Sequence, residues 1–371
     1  MKKVLSIALA SALTCGVVMA KEIKVGAVMP MSGPLAAYGQ VTNLGLELAN
    51  KLQPTLKNGD TIKIVLLDNK GDKVETANAT TRLISSDKVV AILGALTSTN
   101  TAQTIAMADK KKIPVIASVA TNDKLTAKRT FANRVCFTDS FQGEVVANFA
   151  IESGYKTAVV VIDQAQVYSL GLSKAFQKAF KAKGGKIIKK IKVTSGDKDF
   201  KAVVSQIKKI NPDFMFMPLY HPEASMIARQ SKQLGLDKPM FSGDGVANQT
   251  FIDLGGESVN GYMFTDFFDY SNPPSKTSAD FVAFHEKETG NAEMNSFTAL
   301  GADTYNVLIA AMNRCEDPTN SICINNEIKK TTDFDGVSGK ISINSEGNAT
   351  RSAVIKEIKN GKATFKATVS P

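Results

Sequence analysis

Histidine occurs only twice in the chain, at His221 and His285, and cysteine four times, at Cys15, Cys136, Cys315 and Cys323. No CxxC pair is present and the two histidines stand far apart, so no ligand set for zinc, haem or another metal is visible. The chain also lacks a phosphate-cradling GxGxxG, a P-loop and a GxSxG nucleophile elbow. His221 precedes Pro222, as a residue at a helix entry does, and no serine or cysteine partner accompanies it. Neither an enzyme nor a cofactor-dependent protein is expected. Past the first twenty residues no apolar run approaches the length needed to span a bilayer, and no low-complexity tract or short tandem repeat interrupts a globular composition.

The first twenty residues follow a three-part plan. Lys2 and Lys3 form a basic start, Val4 to Val18 is apolar, and Val18-Met19-Ala20 offers small residues at a cleavage point. That is the pattern of a secretory signal peptide, residues 1–20, cut after Ala20. Cys15 invites a lipoprotein reading, but Ala12-Leu13-Thr14 before it matches the lipidation signal poorly. A periplasmic, unlipidated protein is expected. In that oxidising compartment Cys315 and Cys323, which bracket the loop containing Asp317-Pro318, are placed to form a local disulfide. Cys136, between Val135 and Phe137, reads as a buried thiol. The formal charge is +10. Its lysines (Lys174, Lys178, Lys181 and Lys183 among them) read as solvated helix faces rather than a nucleic-acid surface, which needs clustered arginines and exposed aromatics.

From Ile23 onward, β-rich and helically spaced segments alternate. Strand-like runs at 23–29, 62–67, 89–93 and 114–117 are separated by helical stretches at 41–52, 74–84 and 101–111. The series pauses near Phe131 to Asp139 and restarts, with strands at 158–162, 186–193, 214–217 and 239–241 between helices. Such alternation predicts parallel sheets covered by helices on both faces, here as two successive doubly wound α/β units. The last third brings two helical stretches, a Gly-rich β region from Gly336, and a hairpin at Ile355 to Phe365 with Asn360-Gly361 as its turn. Glu346-Gly347-Asn348-Ala349-Thr350 matches an acidic-x-Asn-x-Thr glycosylation sequon, and an ordinary turn is the favoured reading of it.

Open α/β sheets bind ligands beyond the carboxyl ends of their strands. In the first unit Leu93 to Asn100 follows a strand and opens a helix, so its backbone N–H groups and Ser98 or Thr99 suit a carboxylate. Capping by the same hydroxyls is the plain alternative. Ala117 to Asn122 repeats the pattern, and Tyr38 lies in the first βα loop. In the second unit Tyr168, Tyr220 and Asp244 all follow strands. Together these suit a zwitterion, its carboxylate on helix-start donors and its ammonium on Asp244.

The same segments resemble the periplasmic branched-chain amino-acid-binding proteins, the type I solute-binding proteins of ABC transporters. The likeness spans the mature chain through Met31-Ser32-Gly33-Pro34, Tyr38-Gly39, Gly171-Leu172, Gly196-Asp197-Lys198-Asp199-Phe200, Tyr220-His221-Pro222-Glu223 and Gly245-Val246-Ala247-Asn248. It implies two lobes joined by hinge crossovers, 21–139 plus 268–346 and 140–267 plus 347–371, closing over a small amino acid delivered to membrane permease subunits by a monomer. The α-carboxylate would meet Ser98 and Thr121, and the ammonium the Val119 carbonyl, Thr121 and Asp244. Tyr38, Leu96, Tyr168, Tyr220, Gly245 and Phe297 would line the pocket. Two departures stand out: Asp244 replaces the family's Glu, and Gly71 and Thr97 occupy the places of its first-lobe disulfide. The implied ligand is leucine, isoleucine or valine, with another small amino acid or an amide, bound in a sensory role, as the alternative.

Overall fold

A computed structural model describes residues 20–371; residues 1–19, with Cys15 and most of the expected signal peptide, lie outside the described residues. The first half of the chain builds β1 (Glu22–Met29), α1 (Ala36–Leu52), β2 (Thr61–Asp68), α2 (Lys73–Arg82), β3 (Ile92–Gly94), α3 (Ser98–Ala108), β4 (Val115–Ala117) and β5 (Ala132–Arg134). These five strands form one sheet in the order β2-β1-β3-β4-β5. All four pairings are parallel. β3, β4 and β5 are buried at every residue, as expected of strands covered on both faces.

The second unit begins with α4 (Asp139–Glu152), β6 (Thr157–Asp163), α5 (Val167–Ala182), β7 (Lys186–Val193), α6 (Lys201–Ile210) and β8 (Phe214–Phe216). It continues through α7 (His221–Gln233), β9 (Met240–Ser242), α8 (Gln249–Gly255) and β10 (Met263–Asp266). The chain then returns to the first lobe as α9 (Lys276–Thr289), α10 (Ser296–Met312) and α11 (Ser321–Ile328), with α10 packed on α1. A small antiparallel sheet follows, of β11 (Phe334–Gly336), β12 (Gly339–Ile343) and β13 (Ala349–Thr350). Finally β14 (Ala353–Lys359) and β15 (Lys362–Val369) add an antiparallel hairpin to the second sheet, whose order is β15-β14-β10-β9-β8-β6-β7. Asn360 and Gly361 both take positive φ, 50° and 75°, which the two-residue hairpin turn requires.

The chain passes between the lobes three times, after β5, after β10 and after β13. Buried arginines hold these crossings. Arg134 donates to the carbonyls of Ala120 and Asn122 at 3.1 and 2.8 Å. Arg351 ties the second and third crossings together by donating to the carbonyls of Phe267 and Ser338, both at 2.9 Å. β13 pairs with β12 through Thr350, and β14 joins the second sheet from Ala353. The Asn348 side chain accepts a bond from Thr126 at 2.8 Å within this turn. Cys315 and Cys323 are bonded, with Cα atoms 6.0 Å apart. Cys136 is a free, buried thiol whose pKa burial pushes up to about 12.

Candidate functional site

Both sheets reverse strand order beside their first strand, β2-β1-β3 in one and β7-β6-β8 in the other. A crevice opens at each such switch point, and the two crevices face one another. The loops after β1 and β3 come from the first lobe, and those after β6, β8 and β9 from the second. One cavity lies between them, of about 10 Å³, room for little more than a water molecule, so a solute enters only as the walls or lobes move apart.

Nine of the expected residues line this cavity: Tyr38, Leu96, Ser98, Val119, Tyr168, Tyr220, Asp244, Gly245 and Phe297. Thr97 lines it too, a residue the sequence reading did not single out for binding. Thr121 is not on the lining. Burial raises the Asp139 carboxyl well above its ordinary pKa, and the nearby Thr121 hydroxyl opposes that rise, yet Thr121 Oγ1 has no partner of hydrogen-bonding geometry. The cap of α3 is Thr97, whose hydroxyl accepts from the Asn100 N–H at 3.3 Å, rather than Ser98 or Thr99. Capping by Thr97 leaves the Ser98 hydroxyl at the cavity wall, where it accepts only a long 3.4 Å bond from the Asn122 N–H. Burial raises the pKa of the Tyr220 hydroxyl across the cleft, and the Ser98 N–H stands near enough to oppose that rise. That N–H is a helix-start donor aimed into the cavity.

The approach of this loop depends on Gly94, at φ 120°, where a Cβ would lie 2.3 Å from the Val28 carbonyl oxygen. Leu96 follows in the left-handed region at φ 75°, an uncommon conformation for a branched side chain that functional loops often hold. In the second lobe Gly245 plays a similar part, since a Cβ there would stand 2.5 Å from the Leu219 oxygen.

Asp244 is the charged group of this cavity. It is buried, its Oδ1 accepts from Gln142 Nε2 at 2.8 Å, and the Tyr168 hydroxyl stands near enough to favour the ionised carboxylate. Desolvation nevertheless dominates and raises its pKa to about 7. The hydroxyls of Tyr38, Tyr168 and Tyr220 are raised well above 10 by burial and stay neutral donors. Tyr168 stacks on Tyr220 at 5.2 Å, and Tyr38 on Phe297 at 5.6 Å, forming an aromatic wall. His221 is pushed down to about 4 by burial, so it is uncharged at neutral pH.

Several bonds cross from lobe to lobe. Tyr38 donates to the Gly245 carbonyl and accepts from the His221 N–H, the latter at 3.0 Å. Thr99 donates to Gln166 Oε1 at 2.9 Å and accepts from the Val167 N–H at 3.1 Å. Asn295 Nδ2 reaches the Ala247 carbonyl at 3.0 Å. The arrangement can envelop a small molecule and offers it neutral donors on one side and a carboxylate on the other. No group of three or more potential metal ligands is found among the described residues.

The profile of the family described as "Periplasmic binding protein" matches residues 22–363. A Leu/Ile/Val/Thr-binding protein of Salmonella typhimurium is 29% identical over 89% of each chain. The crystal structure of the leucine-binding protein LivK from Thermotoga maritima superposes with a TM-score of 0.92 at 36% identity, covering 94% of this chain and 99% of that one. LivJ of Streptococcus pneumoniae, solved in complex with isoleucine, gives 0.88 at 31% identity, covering 95% and 100%. A benzoate-bound solute-binding protein from R. palustris shares the fold, with a TM-score of 0.85 at 22% identity over 94% and 97%.

Proposed function

Because this chain belongs to the periplasmic binding protein family, whose members bind solutes for ABC transporters and are not enzymes, we propose that it captures a free branched-chain amino acid as its zwitterion. The observation that supports this reading is the buried Asp244 at the wall of a small, largely apolar cavity. A ligand without a positive charge would leave that carboxylate either neutral or uncompensated, which disfavours a benzoate. The ligand carboxylate would take the Ser98 N–H and hydroxyl, with Thr121 turning its unpartnered oxygen toward it. The ammonium would take Asp244 and the Val119 carbonyl. Tyr38, Leu96, Tyr168, Tyr220, Gly245 and Phe297 would surround the aliphatic chain.

An aliphatic side chain supplies about 1.5–3 kcal/mol on burial, whereas micromolar affinity needs about 8 kcal/mol. The charge-assisted bonds at the two ends must therefore contribute most, less the cost of bringing the lobes together. Export by residues 1–20, with cleavage after Ala20, and action as a monomer that hands its ligand to permease subunits complete the proposal.

Asp244→Asn keeps the shape and removes the charge, at a cost of about 2–5 kcal/mol, which should abolish measurable binding. Asp244→Glu should retain binding and shift preference among aliphatic amino acids. Calorimetry with leucine, isoleucine, valine, alanine, threonine and benzoate on the three proteins tests this. If the Asn variant binds the best ligand as tightly as the parent, the ammonium is held elsewhere and the site is misassigned.

A further inference from the structure

Charge is distributed very unevenly along the chain. Between Lys156 and Ile210 stand thirteen lysines, no arginine and three acidic residues (Asp163, Asp197 and Asp199), a net +10 that equals the formal charge of the entire protein. Everything outside this stretch sums to zero. The stretch folds as one side of the second lobe, from β6 through α5 and β7 to α6. β7 is the outermost strand of its sheet, and α5 packs beside it.

All thirteen lysines are exposed, and none forms an ion pair with a carboxylate among the described residues. Lys186, Lys189, Lys190 and Lys192 run along the β7 edge. Lys174, Lys178 and Lys181 recur on α5 at the spacing of one helix face. At a register shift within β7, Ile188 stands 39% exposed amid these lysines.

Protection of an open sheet edge against pairing explains a lysine or two on β7, but not the matching face of α5. The other sheet edges are built differently. On β15, Lys362 and Lys366 are paired with Glu293 and Glu357 at 2.7 and 2.9 Å, and on β2, Lys63 is paired with Glu22 at 3.3 Å. Unpaired lysines occur elsewhere, at Lys57, Lys73 and Lys110 for example, but this stretch gathers thirteen of them against three acidic residues.

We propose that the β7–α5 face of the second lobe is an electrostatic docking surface for an anionic phospholipid bilayer. The choice of occupant rests on the kind of cation. Protein–protein interfaces favour arginine and are depleted in lysine, because the planar guanidinium makes directed, bidentate bonds whereas the ammonium is a hydrated point charge. A wide field of lysines without arginine suits a diffuse, negatively charged surface. Ile188 adds one apolar contact at the headgroup level. Held against such a surface, the protein would search for a membrane partner in two dimensions. The inference stands apart from the identity of the amino acid.

Co-sedimentation of the purified exported protein tests it, with vesicles of phosphatidylcholine alone and of phosphatidylcholine mixed with phosphatidylglycerol. The parent should bind only the anionic vesicles and be released as salt rises. K186Q/K189Q/K190Q/K192Q should lower binding ten-fold or more, at about five-fold for each lysine that reaches the surface. K57Q/K73Q/K110Q/K111Q, an equal charge change on exposed lysines of the first lobe, should leave it within about two-fold of the parent. Unchanged circular dichroism spectra and thermal melts would show that both variants are folded. Absence of binding to anionic vesicles at low salt overturns the proposal. So does an equal loss in the two variants, which would make net charge and not the face responsible. Retention on a polyglutamate resin without vesicle binding would assign the face to an acidic protein and overturn it as well.

Discussion

The two lobes bring different chemistry to the shared cavity. The first offers Tyr38, Leu96, Thr97, Ser98, Val119 and Phe297, none of which is charged. Its polarity comes from backbone N–H groups and hydroxyls fixed by the α3 cap. The second offers two tyrosines, the Gly245 backbone and Asp244, the one ionisable acid on the wall. An anion held by fixed dipoles needs no counter-charge to be buried beforehand. A cation is held better by a full negative charge, which costs desolvation energy whenever the cleft is dry. The first lobe should therefore be insensitive to pH and to single substitutions, and the second sensitive to both.

The largest expected effect follows from the Asp244 pKa of about 7 against an ordinary 3.8. In the ligand-free protein the folded state binds more protons than the unfolded state between these values. Stability from this group therefore falls as pH rises through that window. Ligand binding has the opposite slope, since an ammonium requires the ionised carboxylate. Leucine affinity should fall about 100-fold from pH 8 to pH 5, the fraction of Asp244 ionised at pH 5 being roughly 0.01. Near pH 6 binding should release a proton, read as a dependence of calorimetric enthalpy on buffer ionisation heat. The release should vanish near pH 8.5 and in any Asp244→Asn variant that retains residual binding. Affinity that is flat across this range would remove Asp244 from the ammonium site.

Tyr38→Phe should have an intermediate effect and tests one of the bonds by which the first lobe reaches into the second. Its hydroxyl serves the Gly245 carbonyl and the His221 N–H at once, so the variant leaves two buried backbone groups unpaired. Leucine affinity should drop about ten-fold, and small-angle scattering of the ligand-free variant should show a larger radius of gyration. A drop in affinity with no change of shape would place the cost in the pocket itself rather than in the meeting of the lobes.

Much of the architecture was legible because buried parallel strands and amphipathic helices leave distinct patterns. The strand at Thr157–Asp163 is an example, and the hairpin turn at Asn360-Gly361 left its own two-residue signal. Short elements were not. β5 has three residues inside the apparent pause at 131–139, and β10 and α8 lie in a stretch punctuated by Gly255, Gly256 and Gly261, where no periodicity can develop. Within the site, strand-end logic reached Tyr38, Tyr168, Tyr220 and Asp244, because each follows a recognisable strand. Val119, Gly245 and Phe297 came only through family resemblance. Thr97 was passed over because capping and lining roles look alike in sequence, and the Tyr38–Gly245 bond joins residues 207 positions apart. The lysines of β7 and α5 looked like ordinary solvated faces until the sheet order placed them side by side.

The narrowest expected effect sharpens the contrast between the lobes. Ser98 is buried, and in the ligand-free cleft its hydroxyl makes only the long bond from the Asn122 N–H. Ser98→Ala removes one of several hydrogen bonds to the ligand carboxylate, about 1.5 kcal/mol at the low end for bonds to a charged group, or roughly ten-fold in affinity. The cap survives because it belongs to Thr97, and the Ser98 N–H survives because it is backbone. No ionisable group is touched, so the pH profile of the variant should run parallel to that of the parent. Leucine calorimetry at pH 6 and pH 8 measures both quantities. A loss as large as that of Asp244→Asn would mean that the hydroxyl, not the helix-start backbone, carries carboxylate recognition, and the first lobe would then depend on one side chain as heavily as the second.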